Sequence, residues 1–70
     1  MKNTLKEERL KKQLTQSQLA EMVNVSRQTI FSIEINKYVP SVSLSLKLAN
    51  AVGKKVEDIF QLEKSDLHIS

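Results

Sequence analysis

Cysteine is absent from this chain of 70 residues, and glycine and proline occur once each. Without cysteine the chain has neither disulfides nor thiolate metal sites, so packing in one small core has to stabilise it. Apolar runs are only a few residues long and the first residues are polar, which argues against a membrane span or a secretory signal. We therefore expect a cytoplasmic protein that holds no metal or cofactor.

Acidic residues are scarce in most of the chain. Residues 1–55 carry ten Lys or Arg and four acidic residues, whereas residues 56–70 carry one Lys and four acidic residues. A basic body favours a polyanionic partner, because neutralising such a partner releases its counterions. Charge alone is explained equally well by the solvation of a small domain, so the interpretation depends on sequence patterns.

The stretch from Thr15 to Glu34 has the spacing of two short helices joined by a tight turn. Apolar residues share one face of each helix: Leu19, Ala20 and Val23 on the first, Ile30 and Ile33 on the second. Asn24 falls where the chain must reverse, and Asn tolerates left-handed backbone better than other non-glycine residues. This pattern predicts a helix-turn-helix over about residues 16–35.

Capping residues and apolar spacing predict three further helices. A capping box of Thr4 and Glu7 begins the first, which runs to about Gln13. Ser41 caps a fourth helix that Gly53 terminates, and a short fifth helix covers about residues 56–61. The sequence thus predicts an all-α, compact five-helix domain over residues 1–62, followed by a short C-terminal tail over residues 63–70.

Catalytic chemistry has no support in the sequence. The serines are explained by helix caps and polar faces, since no base and orienting acid accompany them. Adjacent acidic residues lie on predicted helix surfaces, and no pocket for a small-molecule effector is evident. We expect a protein that is not an enzyme.

The outward face of the second helix of the motif carries polar and aromatic side chains: Arg27, Gln28, Phe31 and Ser32. Arg and Gln are the residue types that form paired hydrogen bonds with guanine and adenine edges in the major groove. The large side chain of Phe31 allows two interpretations, a contact with a base or packing onto Tyr38.

Several segments in the right order resemble the Cro/CI-type, or XRE, lambda-repressor-like DNA-binding domains. They are LTQSQLAEMVNVSRQTI, Glu34, the loop KYVPS, the helix SLKLANAVG and the closing VEDIF. The resemblance implies docking of the third helix in the major groove of double-stranded DNA, where Arg27, Gln28, Phe31 and Ser32 read bases. It further implies backbone contacts by Gln16, Ser26, Thr29, Asn36, Lys37 and Tyr38, and a structural salt bridge between Arg9 and Glu34.

One reading helix covers too few base pairs to select a genomic site, so we expect a homodimer on a palindromic operator, acting as a repressor of transcription. The candidates for the dimer contact are Val56, Ile59, Phe60 and Leu62. The alternative is that all four complete the monomer core, and for Leu62 the two interpretations are nearly equal. The alternative function is an antitoxin-type protein-interaction module, which binds a partner protein and contacts DNA secondarily.

Overall fold

A computed structural model describes residues 1–67, and within them the five expected helices are all present. They are α1 Leu5–Lys11, α2 Gln16–Met22, α3 Arg27–Glu34, α4 Val42–Val52 and α5 Val56–Ile59. The described part also contains elements that the sequence did not predict: strands β1 Lys2–Asn3 and β2 Phe60–Gln61, and a last helix, α6 Lys64–Leu67. The compact helical fold is thus confirmed, with a small ribbon and a sixth helix added.

Local capping explains where three helices begin. The hydroxyl of Thr15 accepts from the backbone N–H of Gln18, whose side chain returns to the backbone of Thr15 and completes a capping box. Ser26 and Ser41 cap α3 and α4 in the same way, each accepting from the N–H three residues later. The predicted cap at Ser41 is confirmed, and each of the three caps depends on residues only three positions apart.

The predicted capping box at Thr4 is wrong. Thr4 makes no side-chain cap at the start of α1; its hydroxyl instead donates to the carbonyl oxygen of Asp58, 3.3 Å away. The backbone N–H of Thr4 also donates to the carbonyl of Ile59 at 2.9 Å. Pairing with the chain near α5 therefore sets the position of Thr4, and this overrides the local signal.

Two helices end earlier than the sequence predicts. α1 stops at Lys11 rather than near residue 13, because Gln13 adopts a left-handed conformation with φ 57°. α5 stops at Ile59 because Phe60 has extended backbone, with φ −111° and ψ 125°, and enters β2. Asn24 and Gly53 have the left-handed conformations expected of them, with φ of 59° and 70°, and Asn36 after α3 is also left-handed, with φ 62°.

The strands β1 and β2 form an antiparallel ribbon that closes the domain. Lys2 lies opposite Gln61, and Asn3 opposite Phe60. Beyond it, the α-amino group of Met1 lies 3.0 Å from Oδ2 of Asp66. The backbone N–H of Glu63, and after it this amine, lower the pKa of Asp66. This ion pair thus joins the chain after Gln61 to Met1, directly before β1. The domain boundary at residue 62 stays a prediction.

The core is formed by twelve buried apolar side chains from all five predicted helices and β2: Leu5, Leu19, Ala20, Val23, Ile30, Ile33, Leu44, Leu48, Ala49, Val52, Ile59 and Phe60. Arg9 is buried among them as a charged residue. No helix in residues 1–67 has the length and apolarity needed to cross a membrane.

Candidate nucleic-acid interface

The turn between α2 and α3 is closed by a backbone hydrogen bond. Ala20 of α2 is buried, and its carbonyl accepts from the N–H of Val25 at 3.0 Å. The left-handed conformation of Asn24 reverses the chain before Ser26 begins α3. The turn therefore holds α3 at a fixed angle to α2, with Ile30 and Ile33 facing the core.

The first turn of α3 presents polar side chains to solvent. Arg27 and Gln28 are exposed, and Phe31 one turn later is 40% exposed. Ser32 is half-buried and its carbonyl accepts from the N–H groups of Lys37 and Tyr38. The structure thus places the four predicted base-reading residues on the outer side of one short helix.

The loop after α3 lies beside that helix. The carbonyl of Ser32 accepts from the backbone N–H of Lys37 at 2.9 Å and of Tyr38 at 3.2 Å. A cleft of about 400 Å³ between α3 and the loop is lined by Val25, Ser26, Gln28, Thr29, Ser32, Lys37, Tyr38 and Leu44. Three hydroxyl-bearing serine and threonine residues and one lysine therefore border the same surface as Gln28, a combination suited to binding an oxyanion.

Phe31 and Tyr38 are both partly exposed, at 40% and 46%. Both rings therefore remain accessible, and the two interpretations of Phe31 stay open.

Ser26 and Thr29 share a hydrogen bond of 3.0 Å between their hydroxyls.

A buried ion pair joins α1 to the end of α3. Nε of Arg9 donates to Oε2 of Glu34 at 2.7 Å, and Nη2 donates to Oε1 at 3.2 Å. The side chains of Arg9 and Glu34 are 8% and 3% exposed. Nη1 of Arg9 also donates to the carbonyl of Leu14 at 2.8 Å, so one guanidinium fixes both α3 and the chain that enters α2.

Gln16 lies between this ion pair and Arg27, in the first turn of α3. Its Nε2 donates to Oε1 of Glu34 at 3.1 Å, and its Oε1 accepts from Nη1 of Arg27 at 3.3 Å. Gln16 and Arg27 also line a groove of about 540 Å³ together with Gln13 and Thr15. The structure therefore brings a predicted backbone-contacting residue into direct contact with a predicted base-reading one.

Asn3 is a site residue that the sequence did not reveal. Its Nδ2 donates to the carbonyl of Ile33 and to Oδ1 of Asn36, each at 2.9 Å. β1 thus supports the end of α3 and the turn into the loop of Lys37 and Tyr38. Its Oδ1 also accepts locally from the backbone N–H of Leu5 at 3.2 Å, but the two partners that join it to α3 and the following turn lie 30 and 33 residues away.

The fold buries two of the four candidates for a dimer contact and leaves the other two accessible. Ile59 is completely buried and Phe60 is 9% exposed, so the monomer core takes these two side chains. Ile59 has no exposed surface in the monomer, which favours the core alternative for this residue. Val56 is half-buried and Leu62 is 64% exposed, so these two remain accessible.

Two positive side chains of the candidate interface, Arg27 and Lys37, take part in no ion pair of the described residues. Within residues 1–67, ion pairs join Met1 to Glu63 and Asp66, Arg9 to Glu34, and Lys11 to Glu8. None of these described pairs includes Arg27 or Lys37, so the charges of both remain available to a polyanion. The described residues also contain no group of three or more His or acidic side chains placed to hold a metal ion.

Comparisons with known proteins agree with this arrangement. The profile of the Helix-turn-helix family HTH_3 matches residues 5–59. A relative from Methanocaldococcus jannaschii, named an uncharacterized HTH-type transcriptional regulator, is 50% identical over 66 residues, which cover 94% of this chain and 100% of the relative. YgzD of Bacillus subtilis, described in the same words, is 46% identical over 66 residues with the same coverage.

A solved structure shows the same fold. The crystal structure of the clp gene regulator ClgR from Corynebacterium glutamicum is similar with a TM-score of 0.73 and 30% sequence identity. The similarity covers 77% of this chain and 57% of the ClgR chain, so the present chain spans little more than half of that protein.

Proposed function

Because this chain belongs to the helix-turn-helix family HTH_3, of the XRE type, we propose that it is a sequence-specific regulator of transcription that binds double-stranded DNA. The exposed first turn of α3 supports this most directly. Arg27 and Gln28 are both exposed there, and Gln28 borders the same cleft as Lys37 and Tyr38. The buried pair of Arg9 and Glu34 holds that surface in place.

The proposed base-reading residues are Arg27, Gln28, Phe31 and Ser32. With α3 in the major groove, Arg27 donates two hydrogen bonds to guanine, and Gln28 pairs with the N6 and N7 positions of adenine. The ring of Phe31 packs against a thymine methyl group. Each good paired contact discriminates against a wrong base by roughly 1–3 kcal/mol.

The proposed contacts with the DNA backbone flank the reading face: Gln16 before α3, Ser26 and Thr29 on its first turn, and Asn36, Lys37 and Tyr38 after it. Hydroxyl, amide and ammonium groups are the usual partners of phosphate oxygens. The cleft between α3 and the loop brings Ser26, Thr29 and Lys37 to one surface, which favours this role. These contacts position the protein without selecting a sequence.

The proposed active form is a homodimer on a palindromic operator. α3 has eight residues, a length of about 12 Å, and so meets only about four base pairs. Two copies related by a twofold axis read two half-sites about 34 Å apart on one face of the duplex. The recognised sequence then becomes long enough to select a site in a genome.

We propose that the second copy covers the apolar groove beside α4. This groove, of about 300 Å³, is bordered by Met1, Val39, Pro40, Val42, Ser45, Leu46, Val56 and Phe60. Val39, Val42 and Leu46 are 64%, 78% and 57% exposed, a large apolar exposure for so small a chain. Val39 of this groove directly follows Tyr38, so twofold packing there brings the exposed α3 surfaces of the two copies side by side. Leu62 is a further accessible candidate.

Repression follows if the operator overlaps a promoter, because the bound dimer then excludes the polymerase. We propose that such a regulator acts in the cytoplasm. The antitoxin-type alternative uses the same fold and is separated from this proposal by the experiment that follows.

Selection of bound sequences from a random duplex pool tests the proposal. The purified chain is used at about 150 mM salt, where non-specific binding is weak. Enrichment of a palindrome with half-sites about ten base pairs apart supports a dimeric sequence-specific regulator. No enrichment by folded protein contradicts the proposal and favours the partner-protein alternative.

A further inference from the structure

We infer that Asn3 is a positioning residue that turns the side-chain amide of Asn36 so that its amino group faces a DNA phosphate. This inference rests on the proposed function, in which Asn36 contacts the DNA backbone. Asn3 lies in β1 and is half-buried, whereas Asn36 is exposed in the turn after α3. Nδ2 of Asn3 donates to Oδ1 of Asn36 at 2.9 Å, so Asn3 acts on DNA binding through Asn36.

The hydrogen bonds of Asn3 fix how its own amide is turned. Its Oδ1 accepts from the backbone N–H of Leu5 at 3.2 Å, and its Nδ2 donates to the carbonyl of Ile33 at 2.9 Å. A backbone N–H only donates and a carbonyl only accepts. The reversed amide would therefore place donor against donor at Leu5 and acceptor against acceptor at Ile33. Asn3 is thus able to offer Asn36 only a donor hydrogen.

The same contacts determine which end of the Asn36 amide faces solvent. Because Asn3 offers a hydrogen, Asn36 directs its oxygen to Asn3 and its amino group away from it. The backbone N–H of Asn36 is also committed, since it donates to the carbonyl of Ile33 at 3.0 Å. Within residues 1–67 the amino group of Asn36 makes no hydrogen bond, so its hydrogens remain available to a ligand.

An amino group oriented in this way, directly before Lys37, suits a phosphate oxygen, which accepts hydrogen bonds. An amide without a fixed orientation would present its oxygen to the phosphate for part of the time, and ordering it on binding would cost free energy. Asn3 orders the amide before DNA binds. Because the amide carries no charge, its contact releases no counterion, unlike that of Lys37.

A double-mutant cycle on DNA affinity tests the inference. Asn36→Gly removes the amide at a position whose φ of 62° suits glycine, and Asn3→Ala removes the group that orients it. Each single variant should bind preferred and scrambled duplexes about three- to tenfold more weakly, the effect of one neutral hydrogen bond. In the Asn36→Gly background, Asn3→Ala should change the affinity by less than about twofold. An equal loss in both backgrounds overturns the inference, because Asn3 would then act through β1 or Ile33.

The neutral character of the contact supplies a second test. Asn36→Gly should leave the slope of log affinity against log salt unchanged, whereas Lys37→Ala should reduce it by about one unit. Replacing single phosphates with methylphosphonate should reveal a position that weakens binding of the parent but not of Asn36→Gly. A scan in which every position weakens the parent and Asn36→Gly alike overturns the phosphate contact.

Thr4→Ala is the matched control for Asn3→Ala. The hydroxyl of Thr4 donates to the carbonyl of Asp58 at 3.3 Å, so its loss should lower stability without changing DNA affinity. The free protein supplies a readout that needs no DNA, the NMR relaxation of the Asn36 side-chain amide. This amide should become more mobile in Asn3→Ala but not in Thr4→Ala. If the chain selects no DNA sequence, the proposed function fails and the inference fails with it, whereas an Asn36 amide that stays equally ordered without Asn3 overturns the positioning role by itself.

Discussion

The side-chain amide of Asn3 donates to the side-chain oxygen of Asn36 at 2.9 Å and so joins the first strand to the turn after α3. The same amide group also donates to the carbonyl of Ile33 at 2.9 Å, near the end of α3. The ribbon of β1 and β2 therefore does more than close the domain. It supports the turn from which Lys37 and Tyr38 extend.

Asn3→Ala should lower the free energy of unfolding by about 1.5–4.5 kcal/mol, because it removes three side-chain hydrogen bonds that each contribute about 0.5–1.5 kcal/mol. It should also weaken DNA binding similarly for all sequences, since the loop that it supports carries no base-reading residue. Thermal unfolding and DNA titration measure the two effects. Lys2→Ala is the matched control, because Lys2 is an exposed residue of the same strand. Equal stability of the two variants would contradict this role of Asn3.

Gln13→Gly should raise stability by about 0.5–1 kcal/mol. Gln13 has φ 57°, and this conformation costs a residue with a Cβ about 1–2 kcal/mol, more than glycine loses through its freer unfolded chain. Thermal unfolding measures the gain. Asn24→Gly, at φ 59°, is the matched comparison and should gain less, because Asn tolerates this conformation. A loss of stability in Gln13→Gly would show that its side chain contributes more than its backbone strain costs.

The sequence predicts most of the fold because most of its signals are local. The caps at Thr15, Ser26 and Ser41 and the turn at Asn24 depend on neighbours a few residues away. The β1–β2 ribbon has strands of two residues, too short for an alternating pattern, and it pairs distant ends of the chain. Gln13 escapes prediction because glutamine carries no preference for left-handed backbone.

The candidate site divides in the same way. Helical periodicity predicts which residues of α3 face outward, and Arg27 and Gln28 are indeed exposed. The contacts of Gln16 with Glu34 and Arg27 join the start of α2 to both ends of α3, so their geometry emerges only from tertiary packing. Burial of Ile59 likewise follows from packing against the ribbon and α4, and apolar character alone does not distinguish it from the exposed Leu62.

Arg27→Ala and Lys37→Ala should weaken DNA binding in different ways. Loss of Arg27 should relax the preference at one base position and cost roughly 1–3 kcal/mol on the preferred sequence. Loss of Lys37 should weaken binding to all sequences and reduce the slope of log affinity against log salt by about one unit. Titrations of preferred and scrambled duplexes at several salt concentrations measure both. If both variants lose the same affinity on the preferred and the scrambled duplex, the assignment of Arg27 to a base contact and Lys37 to a phosphate contact is wrong.

Leu46→Asp should dissociate the proposed dimer and leave each monomer folded. Leu46 borders the apolar groove and is 57% exposed, so a charge there is tolerated in the free chain but not beneath a second copy. Leu10→Asp is the matched control, because Leu10 is similarly exposed at 54% but lies outside the groove. Sedimentation gives the oligomeric state, and circular dichroism shows whether the helices persist. Ile59→Asp should instead unfold the chain, since that side chain is fully buried. If the dimer persists in Leu46→Asp but dissociates in Leu10→Asp, the dimer contact lies on the surface of α1 and α2 and not in the apolar groove.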